Sequence, residues 1–231
     1  MKKAAIMLYP LFSLQEISCL TELFRFYDKE MVTFSARREP VYSEDGFHIF
    51  PDREFSEFCR EEFDCLVLPG IWEPLPVMLD QRNIRFLEQF HGENKLIIAA
   101  ISAGPILLGK AGLLENRRFT SGVFEEFLDA FPVMPRSGIV RKPLVEDGNL
   151  ITAIGDAFRE FAVAVGHKVG IDCPDSIFSG VEGKIYSKED LTYHLPPEEM
   201  DAARAYWDKC LSAAGEKNGL QKIPRQLDKN T

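Results

Sequence analysis

The chain has 231 residues, 45% of them hydrophobic, which is enough to bury one substantial core. Its formal net charge of −9 argues against binding to nucleic acid, which needs a basic face. The five cysteines follow no metal-ligand spacing, so we expect reduced thiols in a cytoplasmic protein with no metal and no cofactor. We also expect no signal peptide, because Pro10 follows residues 1–9 before an apolar segment of sufficient length has formed. No membrane-spanning segment is expected either, since no apolar run is long enough to cross a bilayer.

The first part of the chain alternates strands and helices. A strand is predicted over residues 4–9, a helix with apolar residues at helical spacing over 14–26, and a second strand over 31–36. Residues 41–50 alternate around an Asp-Gly pair, which predicts a small hairpin. This order favours an α/β fold with a parallel sheet.

The strand ends of this sheet are expected to form a crevice. The remaining core elements are predicted as strands over 65–68 and 96–101 and helices over 83–91 and 157–169. Three of the strands end near Pro10, Gly70 and Ser102. Because ligands bind outside the carboxyl ends of strands in open α/β sheets, these three positions are expected to outline one binding crevice.

Ser102 occupies a predicted strand-to-helix elbow. An apolar strand ends just before it, and Ala103-Gly104-Pro105 opens a new apolar stretch after it. Such an elbow lifts one side chain out of the sheet edge, beside backbone N–H groups that can bind an anion or oxyanion. Ser102 is therefore a candidate nucleophile, and it is equally a small residue that fits a tight turn.

Four stretches of the chain carry a resemblance to a known family. They are residues 3–10 followed by Glu16, residues 63–70, residues 99–105 and residues 147–155. Their order and spacing resemble the ThiJ/PfpI family of the class I glutamine amidotransferase-like superfamily, over residues 2–170. The resemblance implies a flavodoxin-like three-layer sandwich with a mostly parallel central sheet, a homodimer, and an ancestry among intracellular proteases, amidases or glyoxalase-type enzymes.

The resemblance also implies how an oxyanion or ligand would be held. Gly70 and Ile71 fall where the family has its oxyanion-binding backbone turn, and Ala103 would add a further backbone donor. Trp72 follows this turn directly and is expected to line or cover the pocket, or to anchor a subunit contact.

Both usual reactive groups of the family are missing from this chain. Where the resemblance implies a cysteine nucleophile the chain has Ser102, and where it implies a histidine the chain has Gly122. Glu16 matches the glutamate that contacts the nucleophile, and it could act as a base or as a hydrogen-bonding anchor. Of the four histidines, only His48 and His194 are expected to be able to fold over the crevice.

The chain changes character after residue 170. We expect an α/β domain over residues 1–170 and a helical appendage over 171–231, with a helix over 198–213 and a frayed end from about residue 221. Tyr206 and Trp207 give the appendage an apolar surface for packing on the core or on a second subunit.

Three functions are compatible with these residues. The favoured one is a pocket that binds a small polar or carbonyl-containing metabolite, with little or no cysteine chemistry. The second is a serine-dependent hydrolase or amidase with Ser102 as nucleophile, and the third is a ligand-sensing interaction module. The enzyme would need a base within hydrogen-bond reach of Ser102, whereas the sensor would need none.

Overall fold

The computed structural model describes residues 2–178 and 187–215, with a seven-stranded sheet at the centre. The strands are β1 (Lys3–Met7), β2 (Met31–Ser35), β3 (Val41–Tyr42), β4 (His48–Ile49), β5 (Arg53–Glu54), β6 (Phe63–Leu68), β7 (Ile97–Ile101), β8 (Leu144–Asp147) and β9 (Leu150–Ala153). The helices are α1 (Gln15–Phe26), α2 (Pro74–Leu79), α3 (Gln81–Glu88), α4 (Pro105–Lys110), α5 (Glu125–Ala130), α6 (Phe158–Lys168) and α7 (Met200–Ala213).

The central sheet has the order β5-β2-β1-β6-β7-β9-β8. All neighbouring strands are parallel except β8, which runs antiparallel to β9. In the middle of the sheet Ile6 pairs with Val67, and Val67 pairs with Ala99. These strands are apolar on both faces because helices cover both sides of the sheet. The carboxyl ends of β1, β6 and β7 therefore meet at one edge.

Two groups of helices cover the sheet. Helix α1 packs against α6, while α2, α3 and α4 pack against one another. The buried residues of α1 recur at helical spacing and include Ile17, Leu20 and Phe24. The α/β, flavodoxin-like sandwich predicted from the sequence is confirmed, together with a C-terminal helix.

Most predicted elements form within a few residues of their expected bounds. The hairpin is present as the antiparallel pair β3 and β4, with Gly46 at a φ of +87° in its turn. Helix α2 was not predicted, and α3 begins at Gln81 rather than at residue 83 because the Asp80 side chain accepts a hydrogen bond from the Arg82 amide. The frayed end predicted from about residue 221 lies outside the described residues.

Helix α7 folds back onto the core of its own chain. Trp207 is buried and its ring packs edge-on against Phe127, at 5.5 Å between ring centroids, and Phe131, at 5.9 Å. The Tyr206 hydroxyl donates a hydrogen bond to the Glu73 carboxylate, which follows β6. The appendage therefore packs on the core, which was one of its two expected positions. No helix in the described ranges is long and apolar enough to span a membrane.

Candidate functional site

Ser102 lies on a strained elbow between β7 and α4. Its φ of +58° is in the left-handed region, which costs a non-glycine residue about 1 to 3 kcal/mol. Two backbone hydrogen bonds impose this conformation: the Ser102 amide donates to the Ala153 carbonyl, and the Gly122 amide donates to the Ser102 carbonyl, each at 2.8 Å. The elbow predicted from the sequence is present, with its side chain at the carboxyl edge of the sheet.

Glu16 reaches this elbow from the first turn of α1. The loop before α1 is tied to the turn after β6, because the Ser13 amide donates to the Gly70 carbonyl at 2.9 Å. The Tyr9 hydroxyl also donates to the Pro69 carbonyl at 2.5 Å. These bonds place the Glu16 carboxyl directly against Gly70.

Two glycines make room for the Glu16 carboxyl. A Cβ atom at Gly70 would lie 1.7 Å from Glu16 Oε2 and 2.9 Å from Ser102 Cβ. A Cβ atom at Gly155 would lie 2.5 Å from Glu16 Oε1 and 3.3 Å from Ser102 Oγ. Only a residue without a side chain fits at either position with Glu16 in this place, so the glutamate and the serine are held together by close backbone contact.

The environment of Glu16 favours its protonated form. The pKa of Glu16 is raised to about 7. Burial is the largest cause of the rise, and the negative charges of Glu44 and Asp45 are further causes. Hydrogen bonding from the Ser102 side chain and the Gly70 amide lowers this pKa and offsets the rise only in part. Among the described residues, Glu16 Oε2 is buried with no hydrogen-bond partner of ordinary geometry. The carboxyl group can therefore hold or release a proton near neutral pH.

Two backbone amides near Ser102 remain available to a ligand. Within the described parts of the chain, the amides of Ile71 and Ala103 donate to no backbone carbonyl. The bridge between Phe12 and Ile71 uses the neighbouring amides, with the Trp72 amide donating to the Leu11 carbonyl at 3.0 Å. Ile71 and Ala103 thus offer two N–H donors beside the elbow.

A cavity of about 720 Å³ opens over this constellation. Five of the six site residues expected from the sequence line it: Glu16, Ile71, Trp72, Ser102 and Ala103. The sixth residue, Gly70, lies behind Glu16 and Ser102 and does not line the cavity. The structure therefore brings the expected residues together at one edge of the sheet.

The side of the cavity away from the sheet is formed by residues that sequence reasoning did not place there. Glu44 enters from the β3–β4 hairpin, and Phe124 and Phe127 enter from the start of α5. Tyr206 and Trp207 of α7 also line it. The sequence signalled the hairpin and the aromatic helix, but only tertiary packing shows that both face Ser102.

One expectation about the crevice is wrong, and a possibility left open for two histidines is not realised. Pro10 does not line the Ser102 cavity and instead borders a separate cavity of about 180 Å³, because the chain turns away before Glu16. Neither His48 nor His194 folds over the crevice: the His48 ring packs edge-on against Tyr42, and His194 Nδ1 lies 2.7 Å from Glu126 Oε1.

The histidine and cysteine side chains lie away from the cavity. All four histidines and all five cysteines belong to the described residues, and none of them lines the cavity. Burial raises the pKa of the Cys65 thiol, which lies within the sheet. Within residues 2–178 and 187–215, no group of three or more His, Cys, Asp or Glu side chains is arranged to hold a metal ion.

The chain is similar to proteins of one family. The family model described as the DJ-1/PfpI family matches residues 2–168. A deglycase from Pyrococcus abyssi is 32% identical, over 57% of this chain and 80% of that protein. DJ-1 protein homolog E from Arabidopsis thaliana is 24% identical over 58% of this chain, which spans only 31% of that longer protein.

A solved structure supports the same similarity. The crystal structure of a cysteine-to-alanine variant of a DJ-1 superfamily protein from Salmonella typhimurium superposes with a TM-score of 0.64. The two chains are 28% identical, and the match covers 76% of this chain and 94% of the other.

Proposed function

We propose, since this chain belongs to the DJ-1/PfpI family, that it binds a small polar or carbonyl-containing molecule at the Ser102 elbow with little or no cysteine chemistry. The observation that carries the proposal is the cavity itself, into which Glu16 and Ser102 open while none of the five cysteines lines it. In our proposal Ser102 stands at the position that the family resemblance gives to a cysteine, so the activity of the Pyrococcus abyssi deglycase is not extended to this chain.

The size and lining of the cavity support ligand binding. A volume of about 720 Å³ lies within the roughly 300 to 1,000 Å³ typical of small-molecule sites. Such sites combine apolar walls with a few polar groups that orient the ligand. Here the amides of Ile71 and Ala103 would donate hydrogen bonds to a carbonyl oxygen of the ligand, and the Glu16 carboxyl would exchange a hydrogen bond with a polar group.

Ser102 lacks the usual partner of a serine nucleophile. A serine hydroxyl is a weak nucleophile until an adjacent base takes its proton. No histidine lines the cavity, and Gly122 supplies no side chain where a Cβ atom would lie 3.3 Å from Ser102 Oγ. This arrangement supports a role for Ser102 as a hydrogen-bonding group toward the ligand.

The neutral dye Nile red provides a direct test of the cavity. We expect saturable binding to the wild-type protein at one site, with increased fluorescence. Ala203→Trp fills the cavity from α7 and should abolish the signal, and Ala202→Trp at the rim provides a second plug. Ala205→Trp is the matched control, because Ala205 is exposed on the same helix and does not line the cavity.

Two results would contradict the binding proposal. One is the absence of saturable Nile red binding to the wild-type protein. The other is binding that survives both Ala203→Trp and Ala202→Trp, since the dye would then occupy another place.

A serine hydrolase is the second candidate function, favoured by the pKa of about 7 at Glu16 beside Ser102 and the two available amides. Above this pH the ionised carboxylate could accept the Ser102 proton while the amides stabilise an oxyanion. Hydrolysis of p-nitrophenyl acetate that is lost in Ser102→Ala and retained in Cys59→Ala would establish this candidate. We expect Ser102→Ala and Cys59→Ala to hydrolyse p-nitrophenyl acetate at indistinguishable rates.

A homodimer and a cytoplasmic location remain predictions. Trp207 is buried within its own chain and offers no surface to a second subunit. Trp72 is 73% exposed at the cavity rim, which supports a subunit contact there, the alternative to its expected role in lining the pocket. Light scattering of the full chain would measure its mass, and a monomer at micromolar concentration would contradict the dimer.

A further inference from the structure

The cavity at Ser102 carries an unusual set of charges. Four carboxyl groups line it, and within the described residues no lysine, arginine or histidine does. The four are Glu16, Glu44, Glu73 and Glu199. An anionic ligand would meet several carboxylates at close range, against only the partial charges of two backbone amides. The lining therefore disfavours anions.

These carboxyl groups have no cationic partner in the described parts of the chain. None of the four takes part in an ion pair, and Glu73 accepts only the neutral hydroxyl of Tyr206. Glu16 Oε2 is buried against Gly70, which does not line the cavity, so the charges that a ligand would meet directly are those of Glu44, Glu73 and Glu199.

Carboxylates next to the cavity behave differently. Glu125 on α5 pairs with Arg136 and Arg141, and Glu126 pairs with His194. Arg136 and Arg141 are thus engaged outside the cavity and do not neutralise its lining.

Aromatic side chains complete the lining. Five aromatic residues border the cavity: Trp72, Phe124, Phe127, Tyr206 and Trp207. The negative faces of aromatic rings attract organic cations, and rings combined with carboxylates form the usual recognition site for an ammonium group on an apolar body. The charges and the rings therefore favour the same class of ligand.

We infer that the cavity takes an organic cation, an ammonium group joined to an apolar body of roughly one or two rings. This inference rests on the proposed ligand-binding function and names the class of ligand. The ammonium group lies among the unpaired carboxylates, the apolar body lies against the aromatic wall, and the amides of Ile71 and Ala103 remain available for an oxygen of the same molecule.

The test compares three probes that share one ring system and differ in charge. Naphthylmethylammonium, naphthylmethanol and naphthoate each displace bound Nile red, and we expect the ammonium probe to act at a concentration about tenfold lower than the alcohol. Naphthoate should be the weakest of the three. Added salt should weaken the ammonium probe and leave the alcohol unchanged.

Two variants locate the charge preference. Glu44→Gln and Glu199→Gln should each weaken the ammonium probe several-fold and leave the alcohol unchanged, because each variant removes one lining carboxylate. Glu22→Gln is the matched control, since Glu22 is exposed on α1 and does not line the cavity. Equal or stronger displacement by naphthoate, or an unchanged ammonium affinity in both variants, would overturn the inference.

The failure of Nile red binding is distinguishable from the failure of the charge preference. If the dye does not bind, the same three probes are titrated into the isotopically labelled protein and followed by NMR. Shift changes at Ala103 and Gly122 with the ammonium probe alone would support the inference, and their absence would contradict it.

Discussion

The cavity has a floor and a cover that are built in different ways. The floor consists of Glu16, Gly70, Ser102, Gly122 and Gly155, where backbone and side-chain atoms are in close contact. The cover is helix α7, held by the packing of Trp207 and the hydrogen bond of Tyr206. The floor lies within the part of the chain that matches the family model, and the cover lies beyond it. The floor thus supplies Glu16 and Ser102, and the cover forms the facing wall of the cavity with Tyr206 and Trp207.

The largest effect is expected at Gly104, next to the floor. A Cβ atom there would lie 2.5 Å from the Pro69 carbonyl oxygen and 2.9 Å from those of Leu68 and Ile101. Because backbone carbonyls cannot move aside, Gly104→Ala should lower the free energy of unfolding by about 3 kcal/mol. Gly122→Ala, the control within the floor, should cost less than about 1 kcal/mol. Urea unfolding measures both, and equal losses would show that the floor is not rigid.

The second effect is a pH dependence that originates from Glu16. The folded protein raises the pKa of Glu16 from 4.5 to about 7. The contribution of the protonated Glu16 carboxyl to the stability of the folded state is therefore fully present below pH 4.5 and is lost as the pH rises through about 7. The groups that face it are Glu44 and Asp45, whose charges raise this pKa, and Tyr9, whose own pKa is raised by burial and by Glu16.

Glu16→Gln removes this titration. As the pH rises from about 4 to about 8, the unfolding free energy of the wild type should fall by about 2 kcal/mol relative to that of the variant, after allowance for partial solvent screening. Urea unfolding at the two pH values measures the difference, with the exposed Glu22→Gln as control. A difference that does not change with pH would place Glu16 in an ordinary, solvated environment.

Much of the floor could be predicted from the sequence. The apolar strand before Ser102 and the Gly-Pro pair after it determine an elbow by local rules, and the resemblance aligned Glu16, Gly70 and Ile71 with it. The structure adds the reason for the glycines, which is the close approach of the Glu16 carboxyl. Strand order and the meeting of strand ends follow from general rules of parallel sheets.

The cover could not be predicted, because it depends on contacts between distant parts of the chain. The pattern of residues 198–213 indicated a helix with an aromatic side, and either the core or a second subunit could have satisfied it. The edge-on contacts of Trp207 with Phe127 and Phe131 show that this helix packs on the core of its own chain. In the same way, local rules predicted the hairpin but not that Glu44 would line the cavity.

A third prediction concerns the elbow as an anion-stabilising position. Ser102→Cys places a thiol beside the available amides of Ile71 and Ala103, which favour a thiolate. We expect it to react with iodoacetamide several-fold faster than the exposed Cys59 of the same molecule, which serves as the internal reference. Peptide mass spectrometry over time measures both rates. A slower reaction at position 102 would mean that the amides do not stabilise an anion.

The smallest effect is expected in the cover. Tyr206→Phe removes the hydrogen bond to Glu73 and should reduce the stability of α7 against local opening by about 1 kcal/mol. Hydrogen exchange in α7 should become about fivefold faster while β6 and β7 remain unchanged. Tyr42→Phe, at an exposed tyrosine of the hairpin, is the control. Equal acceleration in the sheet would show that floor and cover open as one unit.

The most direct test of the central claim, a ligand cavity without nucleophilic chemistry, is labelling of the wild-type protein with a fluorophosphonate. The reaction is run at about pH 8, where the Glu16 carboxylate is mostly ionised and Ser102 would be most reactive. We expect the intact mass to remain unchanged, because neither a histidine nor a cysteine lines the cavity beside Ser102. An adduct on the peptide that contains Ser102, absent in Ser102→Ala, would contradict this expectation and establish a serine hydrolase.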